Sequence, residues 1–355
     1  MAASLLNAPD DGAAAASLPV DLDPVDRRLL TLLQIRFPLV PEPFRALAEE
    51  LGIGEAEVLA RARRLKGEGV LRQISAIFDS RRLGYTSTLV AVDLPPERLE
   101  EGARRISEHP GVSHNYQRDH PLNVWFTITM PPEVDLEAEV EALATAAGAR
   151  RTRILPALRL FKIGVKLDLE EGVNAAGGPV PSDRAPGAIR PLSAVERQYV
   201  RVLQQELPLE AQPFRGWARS LGTSEEEILA RARALMQEGI MRRFAAVLRH
   251  QKAGFTANGM VCWHLPEERL VEVGYLLASY PEVSHCYQRP AFPDWPYNLF
   301  SMVHARSRRQ CEEIARRMAA DAACVDYVIL YSVREFKKQR PAYYTEELDA
   351  QPPGR

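Results

Sequence analysis

Repetition constrains this chain more than any other feature. S-H-N-Y-Q-R at residues 113–118 returns as S-H-C-Y-Q-R at 284–289, and E-V-L-A-R-A-R at 57–63 returns as E-I-L-A-R-A-R at 227–233. R-L-F-K at 159–162 returns as R-E-F-K at 334–337. The offset between copies lengthens slightly from one landmark to the next, so the insertions fall between elements, where loops tolerate them. Two copies of a module of roughly 150 residues match the usual size of a domain.

Within each module the first part reads as three short helices. In copy one, residues 26–33 carry an apolar stripe, Pro43 and Phe44 open a second helix that ends near Gly52, and residues 55–68 form the third. Helix, tight turn and helix is the helix-turn-helix pattern, and the alternating run V-L-R-Q-I-S-A-I-F after Gly69 reads as the strands of a wing. Copy two matches over residues 196–248. The remainder reads strand, helix, strand, strand, helix, strand: 86–94, 97–109, 112–118, 123–130, 134–147 and 152–165, then 259–265, 268–280, 283–289, 298–304, 308–320 and 325–336. The expected class is α+β, a tandem duplication of a winged helix-turn-helix domain followed by a ferredoxin-like βαββαβ domain. Helix-turn-helix domains are expected at 21–82 and 191–252 and ferredoxin-like domains at 83–170 and 253–345. An uncommitted N-terminus (1–20), a Gly/Pro/Ala linker (171–190) and a tail (346–355) complete the chain.

Hydrophobic residues make up 46% and charged residues 26%, enough for an ordinary core in each half. No apolar run reaches the roughly 18 residues of a membrane span, and the N-terminus lacks the order of a signal peptide, so a cytoplasmic protein away from membranes is expected. Cys262, Cys286, Cys311 and Cys324 all fall in the second half at irregular spacing, which suggests neither a zinc site nor a disulfide framework. A formal net charge of -2 leaves no large basic footprint for nucleic acid. Arg61, Arg63, Arg64 and Lys66 would give the third helix a basic face, but its duplicate opens on Glu225, Glu226 and Glu227. A DNA-binding regulator with a small-molecule effector is therefore the second reading.

The duplicated hexapeptide is the candidate site. Period-two alternation puts His285, Tyr287 and Arg289 on one face of a strand, and His114, Tyr116 and Arg118 on one face of its copy. Such polar groups gain nothing from burial without partners, so this face meets either a charged ligand or another sheet or subunit. Arg159, Lys162, Arg334 and Lys337 read either as further anchors or as the charges that blunt an edge strand. His109, His250, His264 and His304 read as structural or surface residues. Only copy two has the insertion P-A-F-P-D-W-P-Y at 290–297 and the P-A-Y-Y at 341–344, either a pocket wall or packing.

The helix-turn-helix joined to a ferredoxin-like domain resembles the leucine-responsive/asparagine-regulator family of transcription factors over both halves. The second strand departs from that family, leaving through H-P-L-N at 120–123 and P-D-W-P-Y-N at 293–298. H-x-Y-Q-R followed by an Asn, the Pro-Phe pairs Pro43-Phe44 and Pro213-Phe214, and G-[IV]-[LM]-R-[QR] at 69–73 and 239–243 resemble instead the sirohaem decarboxylases, which occur as paired homologous subunits or as fusions. The resemblance implies loss of carbon dioxide from the acetates at ring positions 12 and 18 of sirohaem, without a cofactor, on the way to haem d1 or haem. It also implies related subunits or a homo-oligomer as partners. A flat macrocycle with eight carboxylates calls for arginines and lysines, here Arg72, Arg118, Arg159, Lys162, Arg242, Arg243, Arg289, Arg334 and Lys337, with Asn298 beside them. His114 and His285 are the candidate proton donors or ligands of the substrate's iron, Tyr116 and Tyr287 their catalytic neighbours, and no metal is held by the protein itself.

Overall fold

The computed structural model describes residues 21–163, 190–248 and 257–349. The expected N-terminus and, apart from Arg190, the expected linker lie outside the described residues, as does His250.

Module one begins with α1 (Pro24–Ile35), α2 (Pro43–Leu51) and α3 (Glu55–Gly67). Pro24 at the helix start and a reciprocal Asp23–Asp26 capping box fix the entry to α1, and Gly52 at φ 71° ends α2 in the left-handed conformation. Next come β1 (Leu71–Phe78), β2 (Thr86–Asp93), α4 (Leu99–Glu108), β3 (Val112–Arg118), β4 (Val124–Met130), α5 (Leu136–Ala147), β5 (Arg151–Pro156) and β6 (Arg159–Ile163). Module two repeats the order as α6 (Ala194–Leu203), α7 (Arg215–Leu221), α8 (Glu225–Gln237), β7 (Met241–Leu248), β8 (Ala257–Trp263), α9 (Leu270–Ser279), β9 (Val283–Gln288), β10 (Leu299–Ala305), α10 (Arg308–Asp321) and β11 (Tyr327–Lys338), followed by α11 (Glu346–Asp349).

Two sequence expectations are corrected, both because the modules exchange strands. The run after Gly69 is one strand, not a wing hairpin. It contains no turn residue on which to fold back, so β1 pairs antiparallel with β7 of the other module. The segment expected as one strand over 152–165 is two. β5 pairs with β2, and after Ala157 and Leu158 the chain crosses so that β6 pairs with β9. Pro156, which has no N–H for the ladder, sits at the crossing. Its counterpart is Tyr331, and β11 runs through unbroken, pairing first with β8 and then with β3.

The outcome is one sheet of nine strands in the order β5-β2-β4-β3-β11-β8-β10-β9-β6. Its two ends, β5 and β6, are consecutive in the chain, so the sheet turns back on itself and each module's half faces the other. Helices α4, α5, α9 and α10 cover the outer faces; Val124, Phe126 and Ile128 of β4 and Val261 and Trp263 of β8 are buried there. Between the halves lies a smaller apolar centre of Ala91, Trp125, Leu155, Met260, Cys262, Phe300 and Leu330, capped by Trp295.

Candidate active site

The inner face, between the two halves of the sheet, is where the duplicated hexapeptide points. The alternate residues settle this: Asn115 turns outward and donates to the carbonyl of Ala103 on α4 (2.9 Å), and Cys286 turns outward against the carbonyl of Gly274 on α9 (3.6 Å). His114, Tyr116 and Arg118 therefore face inward from β3, and His285, Tyr287 and Arg289 from β9. Each trio forms a ladder. The His114 and Tyr116 rings stack at 6.3 Å between centroids, those of His285 and Tyr287 at 6.2 Å. Arg118 lies 5.7 Å from the centre of the Tyr116 ring and Arg289 4.9 Å from that of Tyr287.

The arginine ends of both ladders reach the apolar centre. Arg118 Nη1 donates to the carbonyl of Leu330 (2.9 Å), and Arg289 Nη1 donates to that of Leu155, the matching position of the other module. Among the described residues neither arginine forms an ion pair, and the Nε of each is buried without a hydrogen-bond partner. Burial holds both guanidiniums below their ordinary range, Arg289 down to about 10. The thiol of Cys262, raised by burial, is pulled down by both arginines, so the two cations converge on one buried centre.

The histidine ends meet a second cluster of positive charge. Lys338 lies directly across the strand pair from His114, and Arg72 on β1 donates to the carbonyl of Lys338. His114 is pushed down to about 4, by burial first and then by the charges of Lys338, Arg72 and His285. Tyr116 is held above its usual range by burial and then by the carboxylate of Glu335 opposite it. In the other half, burial raises Tyr287 against the pull of Arg289, Arg242 and Arg81. Arg340 donates to Ser75 and to the carbonyl of Ala76 on β1, and burial beside Arg243 and Arg72 lowers it to about 10. Arg243 is likewise lowered by burial and then by Arg242. The two-stranded β1–β7 ribbon thus brings Arg72, Arg242 and Arg243 toward the hexapeptide ladders, although Arg242 is ion-paired to Asp79 at 2.8 Å.

The other expected anchors are elsewhere. Arg159 pairs with Gln288 and Arg334 with Gln117, both on the outer face; Arg334 is ion-paired to Glu100. A bulge in β6 between Leu160 and Lys162, and another in β11 between Glu335 and Lys337, turns Lys162 and Lys337 outward as well. Lys162 donates to the carbonyl of Tyr280 (2.8 Å), and Lys337 to those of Ser107 (2.7 Å) and His109 (3.1 Å). Each lysine closes the C-terminus of a helix of the opposite module, which corrects their reading as substrate anchors. Asn298 uses both ends of its amide on the backbone of Leu265 (3.1 and 2.7 Å), as Asn123 does on Leu94 (2.9 and 2.8 Å), so these asparagines pin a strand end. Trp295 packs against Trp125 and Phe300, and Tyr343 and Tyr344 are buried against Tyr85. Sequence reasoning did not find Lys338, Glu335, Arg340 or Arg81. Duplication was its guide, and the counterpart of Lys338 is Ile163, opposite His285.

An AsnC-like ligand binding domain family model matches residues 82–162 and 252–337, and the model of the siroheme decarboxylase NirDL-like HTH domain matches 26–72 and 196–242. A siroheme decarboxylase of Hydrogenobacter thermophilus is 40% identical over 323 residues, covering 91% of this chain and 96% of the relative. The siroheme decarboxylase NirDL subunit of Paracoccus denitrificans is 36% identical over 90% of this chain and 97% of its own length. A crystal structure of the siroheme decarboxylase NirDL in complex with an iron-uroporphyrin III analogue superposes with a TM-score of 0.72 at 35% identity, covering 92% of this chain and 96% of that one. With both modules matched end to end, the chain belongs to the sirohaem decarboxylase family.

Proposed function

We propose that this chain removes carbon dioxide from the C12 and C18 acetate side chains of sirohaem, giving 12,18-didecarboxysirohaem on a route to haem d1 or haem. The observation that carries this reading is the pair of inward His–Tyr–Arg ladders, with Arg118 and Arg289 buried at one end without an ion pair among the described residues and Lys338, Arg72, Arg243 and Arg340 gathered at the other. A polycarboxylate on a flat ring supplies the opposite charge, and the aromatic and aliphatic wall receives the ring. When the bond to the carboxylate breaks, its electron pair stays on the methylene carbon, where the conjugated macrocycle spreads it, and a proton completes the methyl group. His285 and His114 supply that proton, and Tyr116 and Tyr287 orient the departing carboxylate. Arg118, Arg289, Arg72, Arg243, Arg340 and Lys338 hold the remaining carboxylates. The four buried free thiols fit the reducing interior of a cell, and we place the reaction in the cytoplasm. Among the described residues no helix is long and apolar enough to cross a membrane.

The regulator reading loses support from the first recognition-like helix. Arg61 is bonded to Asp23 (2.6 Å) and Asp26 (3.0 Å), Arg64 to Asp26, Lys66 to Glu206, and Arg63 to the carbonyl of Leu209. Anaerobic incubation of the protein with sirohaem, followed by visible spectra and mass analysis, tests the proposal. A bound tetrapyrrole that loses two carboxyl groups supports it, and one that binds and keeps its mass refutes it.

A further inference from the structure

The two ladders differ behind their histidines. Ser284 lies in a bulge of β9, between the pairs His285–Met302 and Val283–Val303, which turns its hydroxyl toward its neighbour. Ser284 Oγ is 2.8 Å from Nδ1 of His285 and 2.6 Å from Nε2 of His304, and Nδ1 of His304 is 2.6 Å from Oδ1 of Asn258. A carboxamide oxygen only accepts, so Nδ1 of His304 carries a hydrogen. In neutral His304, Nε2 then accepts from Ser284, which accepts from Nδ1–H of His285. A proton added to His304 reverses the chain. Nε2–H donates to Ser284, the serine hydroxyl donates to Nδ1 of His285, and the hydrogen of His285 moves to Nε2, the nitrogen away from the serine. The first module lacks this device: Ser87 and Thr129 stand at the register positions of Asn258 and His304 and bond to each other at 3.0 Å. Ser113 lies 3.0 Å from Nδ1 of His114 and reaches the carbonyl of Thr127 (3.4 Å), as Ser284 reaches that of Met302 (3.5 Å), but Thr129 stands where His304 stands behind Ser284.

We propose that His304, acting through Ser284, is the proton reservoir of His285, a positioning residue that makes the second module's histidine the donor that is recharged from within. The inference rests on the decarboxylation reading. The methylene–carboxylate bond breaks, carbon dioxide leaves, and the electron pair remains on carbon. The Nε2 proton of His285 forms the new C–H bond, the Ser284 proton moves to Nδ1 of His285, and the Nε2 proton of His304 moves to Ser284. Both imidazoles end neutral, one proton has been consumed, and solvent recharges His304.

His304→Gln keeps a hydrogen-bonding side chain but stores no proton. Its sirohaem affinity, read by visible titration, is expected within about twofold of wild type, while kcat for carbon dioxide release falls about a hundredfold. The solvent-deuterium proton inventory, curved in the wild type because several protons move together, becomes linear. Thr129→Ala, at the matching position of module one, keeps the wild-type kcat. A His304→Gln enzyme with wild-type kcat overturns the proposal, and so does a slower one whose inventory stays curved. If the wild type binds sirohaem without releasing carbon dioxide, the decarboxylation reading fails instead. The relay is then decided in the free protein by nitrogen-15 spectra of His285: the Nδ1–H tautomer giving way to a mixture in His304→Ala supports it, and an unchanged tautomer overturns it.

Discussion

A guanidinium buried beside an aromatic ring with a single backbone carbonyl as its partner is costly, and among the described residues Arg118 and Arg289 are both held this way. An incoming carboxylate relieves that cost. Arg289→Ala is therefore expected to weaken sirohaem binding by about 1.5–3 kcal/mol, the usual worth of a hydrogen bond to a charged group. His285→Ala leaves binding largely intact and lowers kcat by about 10²–10⁴, because a general acid acts in the transition state. A visible spectrum of the bound complex that shifts in His285→Ala would show iron ligation instead. His114 makes a separate forecast. Its pKa near 4 in the free protein lies below the 6.5 of an unfolded histidine, so the folded state binds fewer protons and loses stability as pH falls from 6.5 toward 4. Carboxylates arriving beside Lys338 and Arg72 raise that pKa, so sirohaem binding takes up protons above pH 4 and tightens as pH falls. Calorimetry in buffers of different ionisation enthalpy reads the uptake directly, and no difference between buffers in the wild type contradicts the account.

Most helices and strands were legible in the sequence, since periodicity and capping mark them: α2 opens at Pro43 and closes before Gly52 as expected. What escaped was pairing across modules. Nothing local distinguishes a strand that folds back from one that leaves for a duplicate, and only Pro156 hinted at the break. The same exchange explains why Arg159, Lys162, Arg334 and Lys337 looked like anchors. Their repetition is real, but it records a clasp: Phe161 packs so closely on Gly274 of α9 that any side chain there would clash, and Lys162 caps the same helix. His114, Tyr116, Arg118 and their copies were readable because alternation survives on β3 and β9. Lys338 was not, because it has no basic counterpart. Lys162→Ala and Lys337→Ala should each cost about 1–3 kcal/mol in urea unfolding by leaving helix-end carbonyls unpaired, with the spectrum of bound sirohaem unchanged. A change in that spectrum without loss of stability would return these lysines to the site.

Taken together, the two modules form a single unit whose sheet is shared, so the site belongs to neither half alone. The halves are nonetheless unequal: Lys338 and Glu335 face the first ladder where Ile163 and Leu160 face the second, and among the described residues only the second has an imidazole behind its serine. The helix-turn-helix regions have become part of the same body. Arg63 reaches the carbonyl of Leu209 and Arg233 that of Leu39, each in the opposite module. With its basic side chains so engaged, the protein is expected to retard DNA only weakly and to release it as salt rises; tight, sequence-selective retardation at physiological salt would restore a regulatory role. The most direct check on the ladders as the seat of reaction is the mass of sirohaem recovered after anaerobic incubation with the double variant His114→Ala/His285→Ala. Bound sirohaem with all its carboxyl groups is the expected result, and didecarboxylated product at the wild-type rate would remove both histidines from the mechanism.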